Sequence, residues 1–257
     1  MKKHIPLVVG NWKMNPVSTS LSQSLAKDIV RSIGKKVSQV QVAICPPTLF
    51  TAVVGKQLEK SVLALGAQDV SADIQGAHTG EVSTAMLKIL GVTYVIVGHS
   101  ERRAQGESDA LVAKKVTASL KAGFTTIVCI GEKARDGHGH YFNEVESQLK
   151  SVLAHVPKSQ LGKLVIAYEP VWAIGTGKTA SVEDVHEMKL FIQKGIAEVH
   201  ERSAIAKVRI IYGGSVNKDN AESLTKESGM NGFLVGGASL KPAEFAEIVR
   251  ITNQYGK

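Results

Sequence analysis

One carboxylate, Glu169, is placed by its sequence context to remove a proton from a substrate. It directly follows the apolar run Leu164–Tyr168, and after Pro170 comes a segment rich in glycine, Val171–Lys178. An apolar run of this length is typical of a buried strand. A carboxylate at the end of such a strand, followed by a glycine-rich loop, indicates a general base beneath a loop that can close over it.

Other polar residues follow apolar runs elsewhere in the chain. Asn11 and Lys13 follow the first run, His99 follows the fourth, and glycine pairs follow the seventh and eighth, at Gly213-Gly214-Ser215 and Gly236-Gly237. Glycine lets backbone N–H groups approach phosphate oxygens because no Cβ stands in the way. A neutral imidazole can donate a hydrogen bond to an enediolate, and a lysine can offset its charge. Together these groups predict proton transfer on a small phosphorylated substrate.

Each of these residues also has an ordinary structural interpretation. Taken alone, Asn11 is typical of a turn, Lys13 of a surface charge and His99 of a hydrogen-bonded structural histidine. Glycine pairs after strands are common turn residues. The catalytic interpretation therefore depends on a fold that brings all of the strand ends to one face.

Two further polar groups are expected to be structural. Glu101 is expected to form an ion pair with Arg102 or Arg103 near the end of the fourth strand. The segment His138-Gly139-His140 has no carboxylate or cysteine at a metal-ligand spacing, so it is expected to be a surface loop. No metal site and no cofactor are predicted.

The pattern of apolar runs predicts an α/β fold, a (β/α)8 barrel, with residues 1–257 forming one catalytic domain. Eight continuously apolar runs alternate with amphipathic stretches, as expected for a parallel sheet buried on both faces. A doubly wound open sheet remains the structural alternative, but eight strand–helix units in about 250 residues match the closed barrel. The predicted strands are Leu7–Gly10, Val40–Ile44, Val62–Leu65, Val92–Val97, Thr125–Ile130, Leu164–Tyr168, Val208–Tyr212 and Gly232–Val235.

Helix boundaries are indicated at several positions. Ser181-Val182-Glu183-Asp184 resembles a capping box that opens a helix reaching about Glu201. Gly123 is expected at the C-terminal cap of an earlier helix. Two further helices are expected to begin near Lys218 and near Pro242.

Bulk composition limits the class of protein. The chain has 257 residues, a net charge of +8, 44% hydrophobic and 5% aromatic residues. The positive charge favours anionic partners, but the basic residues are scattered and aromatic residues are few, which argues against a nucleic-acid groove. No apolar run approaches the ~20 residues of a membrane span. Cys45 and Cys129 are expected to be reduced core thiols, and the protein is expected in the cytoplasm.

Along nearly its whole length the sequence resembles the triosephosphate isomerase family. Five separate segments carry the resemblance, in the same order as in the family. They are Gly10-Asn11-Trp12-Lys13-Met14-Asn15, Gly98-His99-Ser100-Glu101-Arg102-Arg103, Ala167–Lys178, Tyr212-Gly213-Gly214-Ser215-Val216 and Gly236-Gly237-Ala238-Ser239-Leu240.

The resemblance implies interconversion of dihydroxyacetone phosphate and glyceraldehyde 3-phosphate without a cofactor. It implies Glu169 as the base, with His99 as a neutral electrophile, a pairing for which this family is itself the standard example. It implies that the loop from 170 to 180 closes over the substrate, again the standard example. The implied substrate-binding groups are Asn11, Lys13, Gly175, Ser215, Gly236 and Gly237.

The resemblance also implies a homodimer. The long connection Gly66–Thr84 has no strong periodicity, and loops of this length are usually functional. Its tip around Thr79 would dock into the partner subunit near the partner's Asn11 and Lys13.

Three positions depart from the common pattern of the family. Asp69 stands where asparagine is frequent, Gln193 where arginine is frequent, and Asn231 where aspartate is frequent. If the last two positions normally form an ion pair, a neutral pair is expected here.

Three other functions remain open from the residues alone. Gly177-Lys178-Thr179 ends like a P-loop, but the pattern requires glycine five residues before Gly177, where Trp172 stands. A Schiff-base aldolase on the same fold would need a lysine able to form an imine, and Lys13 is the lysine on this face. A non-catalytic binding protein is the third alternative.

Overall fold

The computed structural model describes residues 4–35, 37–175 and 179–255. Eight parallel strands close into a barrel in sequence order, with β1 hydrogen-bonded to both β2 and β8. The (β/α)8 barrel is therefore confirmed, and the open sheet is not formed. The strands are β1 Leu7–Asn11, β2 Gln41–Cys45, β3 Leu63–Ala67, β4 Tyr94–Val97, β5 Thr125–Ile130, β6 Leu164–Tyr168, β7 Arg209–Tyr212 and β8 Gly232–Val235.

The strand boundaries agree closely with the apolar runs. The ranges predicted for β5, β6 and β8 are those observed, whereas β2, β3, β4 and β7 begin one or two residues later than predicted. Val40, Val92 and Val208 are buried although they precede the ladder. Apolar residues are thus needed just before a strand as well as within it, so hydrophobicity alone does not mark the first hydrogen-bonded residue.

Successive strand residues enter two different apolar layers. Because side chains alternate across a strand, Leu7 and Val9 of β1 pack inside the barrel with Ile127 of β5. Val8 of the same strand points outward and packs with residues of the surrounding helices, including Ile29. Both layers exclude water, which is why these strands are apolar without alternation.

The helices of the described chain cover the outside of the barrel. They are α1 Thr19–Ile33, α2 Thr51–Leu58, α3 Thr84–Ile89, α4 Ser100–Ala104, α5 Asp109–Lys121, α6 Tyr141–Leu153, α7 Val182–His200, α8 Ala221–Glu227 and α9 Pro242–Tyr255. Helix α7 begins with the capping box predicted at 181–184, which Ser181 and Asp184 form.

Two helix boundaries differ slightly from expectation. Ala122 caps α5, and Gly123 follows it with φ 89°. Helix α8 begins at Ala221 and not near Lys218, because the side chain of Asn217 accepts hydrogen bonds from the backbone of Asp219 and Asn220. That local turn delays the start of the helix.

A long loop connects β3 to α3. Its base is closed by the N–H of Ser71, which donates to the carbonyl of Val82 at 2.8 Å. Between these residues positions 73–81 are all exposed. The loop therefore projects from the barrel surface, as a segment that contacts another molecule would.

None of the helices in the described ranges combines the length and the apolar character needed to cross a bilayer.

Candidate active site

A cleft of about 540 Å³ opens at the ends of the strands. Its walls are built from the residues that directly follow β1, β4, β6, β7 and β8. All eight residues predicted to act in catalysis or substrate binding line it: Asn11, Lys13, His99, Glu169, Gly175, Ser215, Gly236 and Gly237. The barrel thus brings together residues that are as much as 226 positions apart, as catalysis at the C-terminal face of this fold requires.

A second and larger cavity, about 980 Å³, lies on the outside of the barrel between α3 and α5. It contains none of the residues that the sequence assigns to chemistry. Size alone would favour this cavity, but the smaller cleft holds a buried carboxylate, an imidazole and an ammonium group together. Convergence of such groups is the better guide to an active site.

The side chain of Glu169 is almost fully enclosed. It is 2% exposed, and its Oε2 accepts a hydrogen bond of 2.8 Å from the N–H of Ser100. Its Oε1 lies 3.2 Å from Nε2 of His99. Gly213 makes room for this side chain, because a Cβ at that position would lie 2.9 Å from Glu169 Cγ. A dry carboxylate with one oxygen facing an imidazole is suited to proton transfer.

The hydrogen bonds of His99 define its tautomer. The N–H of Glu101 donates to Nδ1 of His99 at 3.2 Å, so this nitrogen is an acceptor and the proton of the neutral ring is on Nε2. His99 is the N-cap of α4 and is 7% exposed. A neutral imidazole therefore presents an N–H donor toward the cleft, as its predicted role requires.

Lys13 is held in an unusual backbone conformation. Its φ is +52°, a region that few residues other than glycine adopt. Its N–H donates to Oδ1 of Asn11 at 3.0 Å, and its carbonyl accepts from Nε2 of Gln68 at 2.8 Å. Asn11 is itself 5% exposed. These bonds hold the strained turn that directs the lysine into the cleft.

Glu101 does not pair with either neighbouring arginine, so that expectation was wrong. Its Oε1 accepts from Nζ of Lys13 at 2.7 Å. Partial burial raises the pKa of Glu101, but the hydrogen bond and the charge of Lys13 outweigh burial and lower the pKa. Arg102 pairs instead with Asp69 and Glu107, and Arg103 pairs with Asp109, which the sequence spacing does not show.

The opposite wall of the cleft offers backbone donors. Ser215 follows β7, and Gly237 begins a short 3-10 helix, Gly237–Leu240, directly after Gly236. Within the described residues the N–H groups of these three positions have no hydrogen-bond partner. A Cβ on Gly236 would lie 3.4 Å from Cε of Lys13. The lysine thus lies between the carboxylate and a site suited to an anion.

Several residues that line the cleft were not predicted. Asn217, Lys241 and Glu244 follow the glycine pairs by a few positions, and Lys241 is paired with Glu244 at 3.1 Å. Leu234 reaches the cleft from inside the barrel. Their only sequence signal was proximity to the strand ends, which many unrelated residues share.

Comparison with known proteins agrees with this geometry. The family model described as triosephosphate isomerase matches residues 6–252. A protein named triosephosphate isomerase from Endomicrobium trichonymphae is 45% identical over 247 residues, covering 95% of this chain and 98% of its own. Proteins of the same name from Chloroflexus aurantiacus and Herminiimonas arsenicoxydans are 44% and 45% identical, with the same coverage.

The chain belongs to the triosephosphate isomerase family.

A buried carboxylate holds the start of the loop that is predicted to close over the substrate. Glu132 is fully buried, and its Oε1 accepts from the hydroxyl of Tyr168 at 2.9 Å and from Nε1 of Trp172 at 2.8 Å. Nε of Arg135 reaches the same oxygen at 2.9 Å, and its Nη1 reaches Oδ1 of Asp184 at 2.6 Å. This network joins the end of β6 to the first turn of α7, on either side of the loop.

Part of that loop lies outside the described residues. Residues 176–178, which include Gly177 and Lys178 of the P-loop-like segment, are not among the described ranges. Gly175 is described and has φ 75°. Its predicted contact with phosphate stays a prediction, as does the closure of residues 170–180.

Asp69, which stands where asparagine is frequent in the family, adds a second carboxylate to a partly buried cluster of charged side chains. Oδ2 of Asp69 lies 2.9 Å from Arg102 and 2.7 Å from Lys115, and both cations also contact Glu107 at 2.5 Å. Burial raises the pKa of Asp69, partly offset by Lys115 and Arg102, and leaves it above its ordinary value. Asparagine here would leave the cluster with one more positive than negative charge.

The other two departures do not form a neutral pair. Oδ1 of Asn231 accepts from the N–H of Ile210 at 2.9 Å and so supports β7. Within the described chain no hydrogen bond joins Asn231 to Gln193. The expected side-chain pair is therefore not formed, and the amide oxygen of Asn231 bonds to the backbone of β7 instead.

Neither cysteine has the environment of a nucleophile. Cys45 and Cys129 are free and buried. Burial raises the pKa of the Cys45 thiol, and burial followed by the charge of Glu169 raises that of Cys129. In the described ranges no group of three or more His, Cys, Asp or Glu side chains could hold a metal ion. His138 and His140 lie in an exposed turn that Asp136 organises by accepting from both backbone N–H groups.

Proposed function

We propose that this chain interconverts dihydroxyacetone phosphate and D-glyceraldehyde 3-phosphate through an enediolate, an isomerisation by intramolecular proton transfer in glycolysis and gluconeogenesis. The family to which the chain belongs supports this reaction. The observation that carries the proposal is the approach of Oε1 of Glu169 to Nε2 of His99, at 3.2 Å, beside a wall of unpaired backbone donors. No cofactor takes part in the proposed reaction.

In the proposed mechanism Glu169 is the base that moves the proton between C1 and C2. The hydrogen bond from Ser100 N–H holds Oε2, so Oε1 is the oxygen directed at the substrate carbon in this arrangement. His99 donates its Nε2 proton in a hydrogen bond to the carbonyl oxygen and stabilises the negative charge that develops there. Burial of both side chains excludes water that would otherwise compete for the proton.

Lys13 and Asn11 are proposed to hold the substrate. The ammonium group of Lys13 is 2.7 Å from Glu101 and near Gly236, so it can move from the carboxylate to the enediolate and phosphate. The N–H groups of Gly175, Ser215, Gly236 and Gly237 are proposed to bind the phosphate. A phosphate held at a fixed distance from the base orients the carbon acid for reaction.

Substitution of the base tests the proposal. Glu169→Gln keeps the shape of the side chain but removes its basicity, so kcat in a coupled isomerase assay should fall by about 10²–10⁴-fold. His99→Gln should lower kcat more than it raises KM, because polarisation is needed in the transition state. The control is Glu59→Gln, which makes the same change at an exposed carboxylate on the outer surface and should leave kcat unchanged. Near-normal turnover of Glu169→Gln would contradict the role of Glu169.

A homodimer through the loop around Thr79 is also proposed. The loop projects from the barrel, and apolar residues stand exposed close to Lys13, with Met14 89% and Val17 84% exposed. Large apolar side chains exposed close together in the chain are consistent with an interface. Light scattering should give twice the mass of one chain, and Thr79→Asp should lower the mass and the activity together. A wild-type mass of one chain at assay concentration would rule this dimer out.

The cytoplasm is the proposed site of action. Cys45 and Cys129 are free thiols, the state that reducing compartments maintain. Cell fractionation with an antibody against the chain tests this, and recovery mainly from the medium or envelope would contradict it.

A further inference from the structure

The large groove on the outside of the barrel is lined by small apolar residues and by more lysines than acidic residues. It measures about 980 Å³ and runs between α3 and α5 to the end of α6. Its floor contains small apolar residues such as Ala85 and Ala118, and Ile74 lies at one end. No residue of the candidate active site lines it, so the proposed isomerisation does not account for it.

Three lysines on its walls lack any partner. Lys88 lies on α3, and Lys114 and Lys121 lie on α5. Within the described part of the chain none of the three forms an ion pair or a hydrogen bond. Asp73 is the one acidic residue among those that line the groove, and it lies 3.6 Å from His78. Within the described residues the groove therefore has a positive rim of three lysines that form no ion pair.

Two other helices pair a surface lysine with a glutamate one turn away. Lys150 pairs with Glu146 on α6, and Lys226 pairs with Glu222 on α8, both at the i, i+4 spacing. Helix α5 has no such partner for Lys114 or Lys121. Exposed lysines without an ion pair also occur elsewhere in the described chain, Lys27 and Lys56 among them, so the groove is distinct in gathering three of them around one apolar floor.

The spacing of the lysines defines the shape of an anionic partner. Lys114 and Lys121 are seven residues apart on one helix, so they lie about 10 Å apart along its axis and on the same face. Two negative charges about one helical repeat apart on a ligand would match this spacing. Lys88 adds charge on the opposite wall. A ligand with several negative charges along its length would therefore match all three lysines.

The residues on the floor of the groove favour an acidic helix over a nucleic acid as the ligand. No aromatic residue lines the groove within the described ranges, so it offers no platform on which bases could stack. Alanines let another backbone approach closely, and the apolar floor would bury an apolar face. An amphipathic helix that lies in a groove between helices buries its surface in this way.

We propose that this groove binds an acidic amphipathic helix of a partner protein, with its apolar face on the alanine floor and its carboxylates on Lys88, Lys114 and Lys121. Residues 75–83 do not line the groove. Asp73 and Ile74, at the base of the loop between β3 and α3, do line it, so the groove and the loop tip around Thr79 are adjacent but use different residues.

The test uses the full chain and a defined probe. The probe is a fluorescein-labelled peptide of about four helical turns, with leucine and alanine on one face and glutamates flanking it at i, i+7. Fluorescence anisotropy at low salt should show saturable binding that weakens as salt rises. The same peptide with lysine in place of glutamate, and a scrambled peptide, should bind at least about tenfold more weakly.

Charge reversal locates the site. The double variant Lys114→Glu and Lys121→Glu should weaken binding by at least about tenfold, because like charges then face each other. The matched control, Lys27→Glu with Lys60→Glu, makes the same change in net charge at exposed positions away from the groove and should bind as the wild type does. Isomerase kcat should be unchanged in both, which shows that both are folded.

Three outcomes would overturn the proposal. They are no saturable binding of the acidic peptide to the wild type, equal weakening in the control variant, and tighter binding of a single-stranded DNA oligonucleotide than of the peptide. The last result would identify a general polyanion surface.

Discussion

Replacing Lys115 by methionine would remove a buried ammonium group that two carboxylates share. The side chain of Lys115 is 3% exposed, and its Nζ lies 2.7 Å from Oδ2 of Asp69 and 2.5 Å from Oε1 of Glu107. Arg102 contacts the same two carboxylates but is 37% exposed. Methionine has a similar length and an apolar stem, so the main change is the loss of one positive charge.

The size of the effect follows from the charge count of the cluster. Two cations balance two carboxylates in the wild type, whereas in the variant Arg102 alone faces both. Leaving a buried charge without its partner costs about 3–5 kcal/mol. Because Arg102 still compensates part of the charge, we expect the free energy of unfolding to fall by about 3 kcal/mol, roughly a hundredfold in the folding equilibrium. Adding Asp69→Asn restores neutrality and should recover more than half of that loss.

The assay is urea unfolding followed by circular dichroism, with all variants at one protein concentration because subunit association would contribute to stability. Lys114→Met, the neighbouring exposed lysine on the same helix, is the matched control and should change the free energy by no more than about 0.5 kcal/mol. The reasoning is refuted if Lys115→Met costs less than about 1 kcal/mol, or if Asp69→Asn fails to rescue it.

Three shorter predictions follow from the same structure. Burial raises the pKa of Glu107, but the cations hydrogen-bonded to this carboxylate outweigh burial and lower the pKa. The stability that Glu107 contributes is therefore complete above about pH 4.3 and is lost as the pH falls further. Glu107→Gln should flatten the acid limb of a plot of unfolding free energy against pH. Gly213→Ala places a Cβ 2.9 Å from Cγ of Glu169 and should lower kcat by about 10–100-fold with little change in unfolding free energy; an unchanged kcat would show that the carboxylate position is not critical. Cys45 and Cys129, with raised thiol pKa values, should react with Ellman's reagent only after unfolding, and fast reaction of the native protein would contradict their burial.

The barrel could be predicted because its strands are buried on both faces. A strand such as Leu164–Tyr168 must be apolar throughout, since one side packs inside the barrel and the other under the helices. That requirement makes eight runs visible in the sequence. The place where each run ends then identifies Glu169 and His99 as neighbours at the same face before any distance is known.

Side-chain pairings could not be predicted in the same way, because they depend on where each side chain points. Glu101 was expected beside an arginine because they are adjacent in the chain, but adjacent residues of a helix point in different directions. The pairing of Glu101 with Lys13, 88 positions away, follows from where β1 and α4 meet. The side chain of Asn231 likewise bonds to β7 instead of to Gln193.

By itself the sequence determined the eight strand–helix units, the resemblance to one family and the set of polar residues at the strand ends, because burial on two faces and glycine near phosphate leave visible patterns. Tertiary structure alone decided which nitrogen of His99 faces Glu169, which carboxylate holds Lys13, and which lysines have no partner. These depend on distances of about 3 Å between residues far apart in the chain. Hydrogen bonds and ion pairs form only at such short distances, whereas the apolar pattern that predicts a fold can be seen in the sequence without knowing any distance.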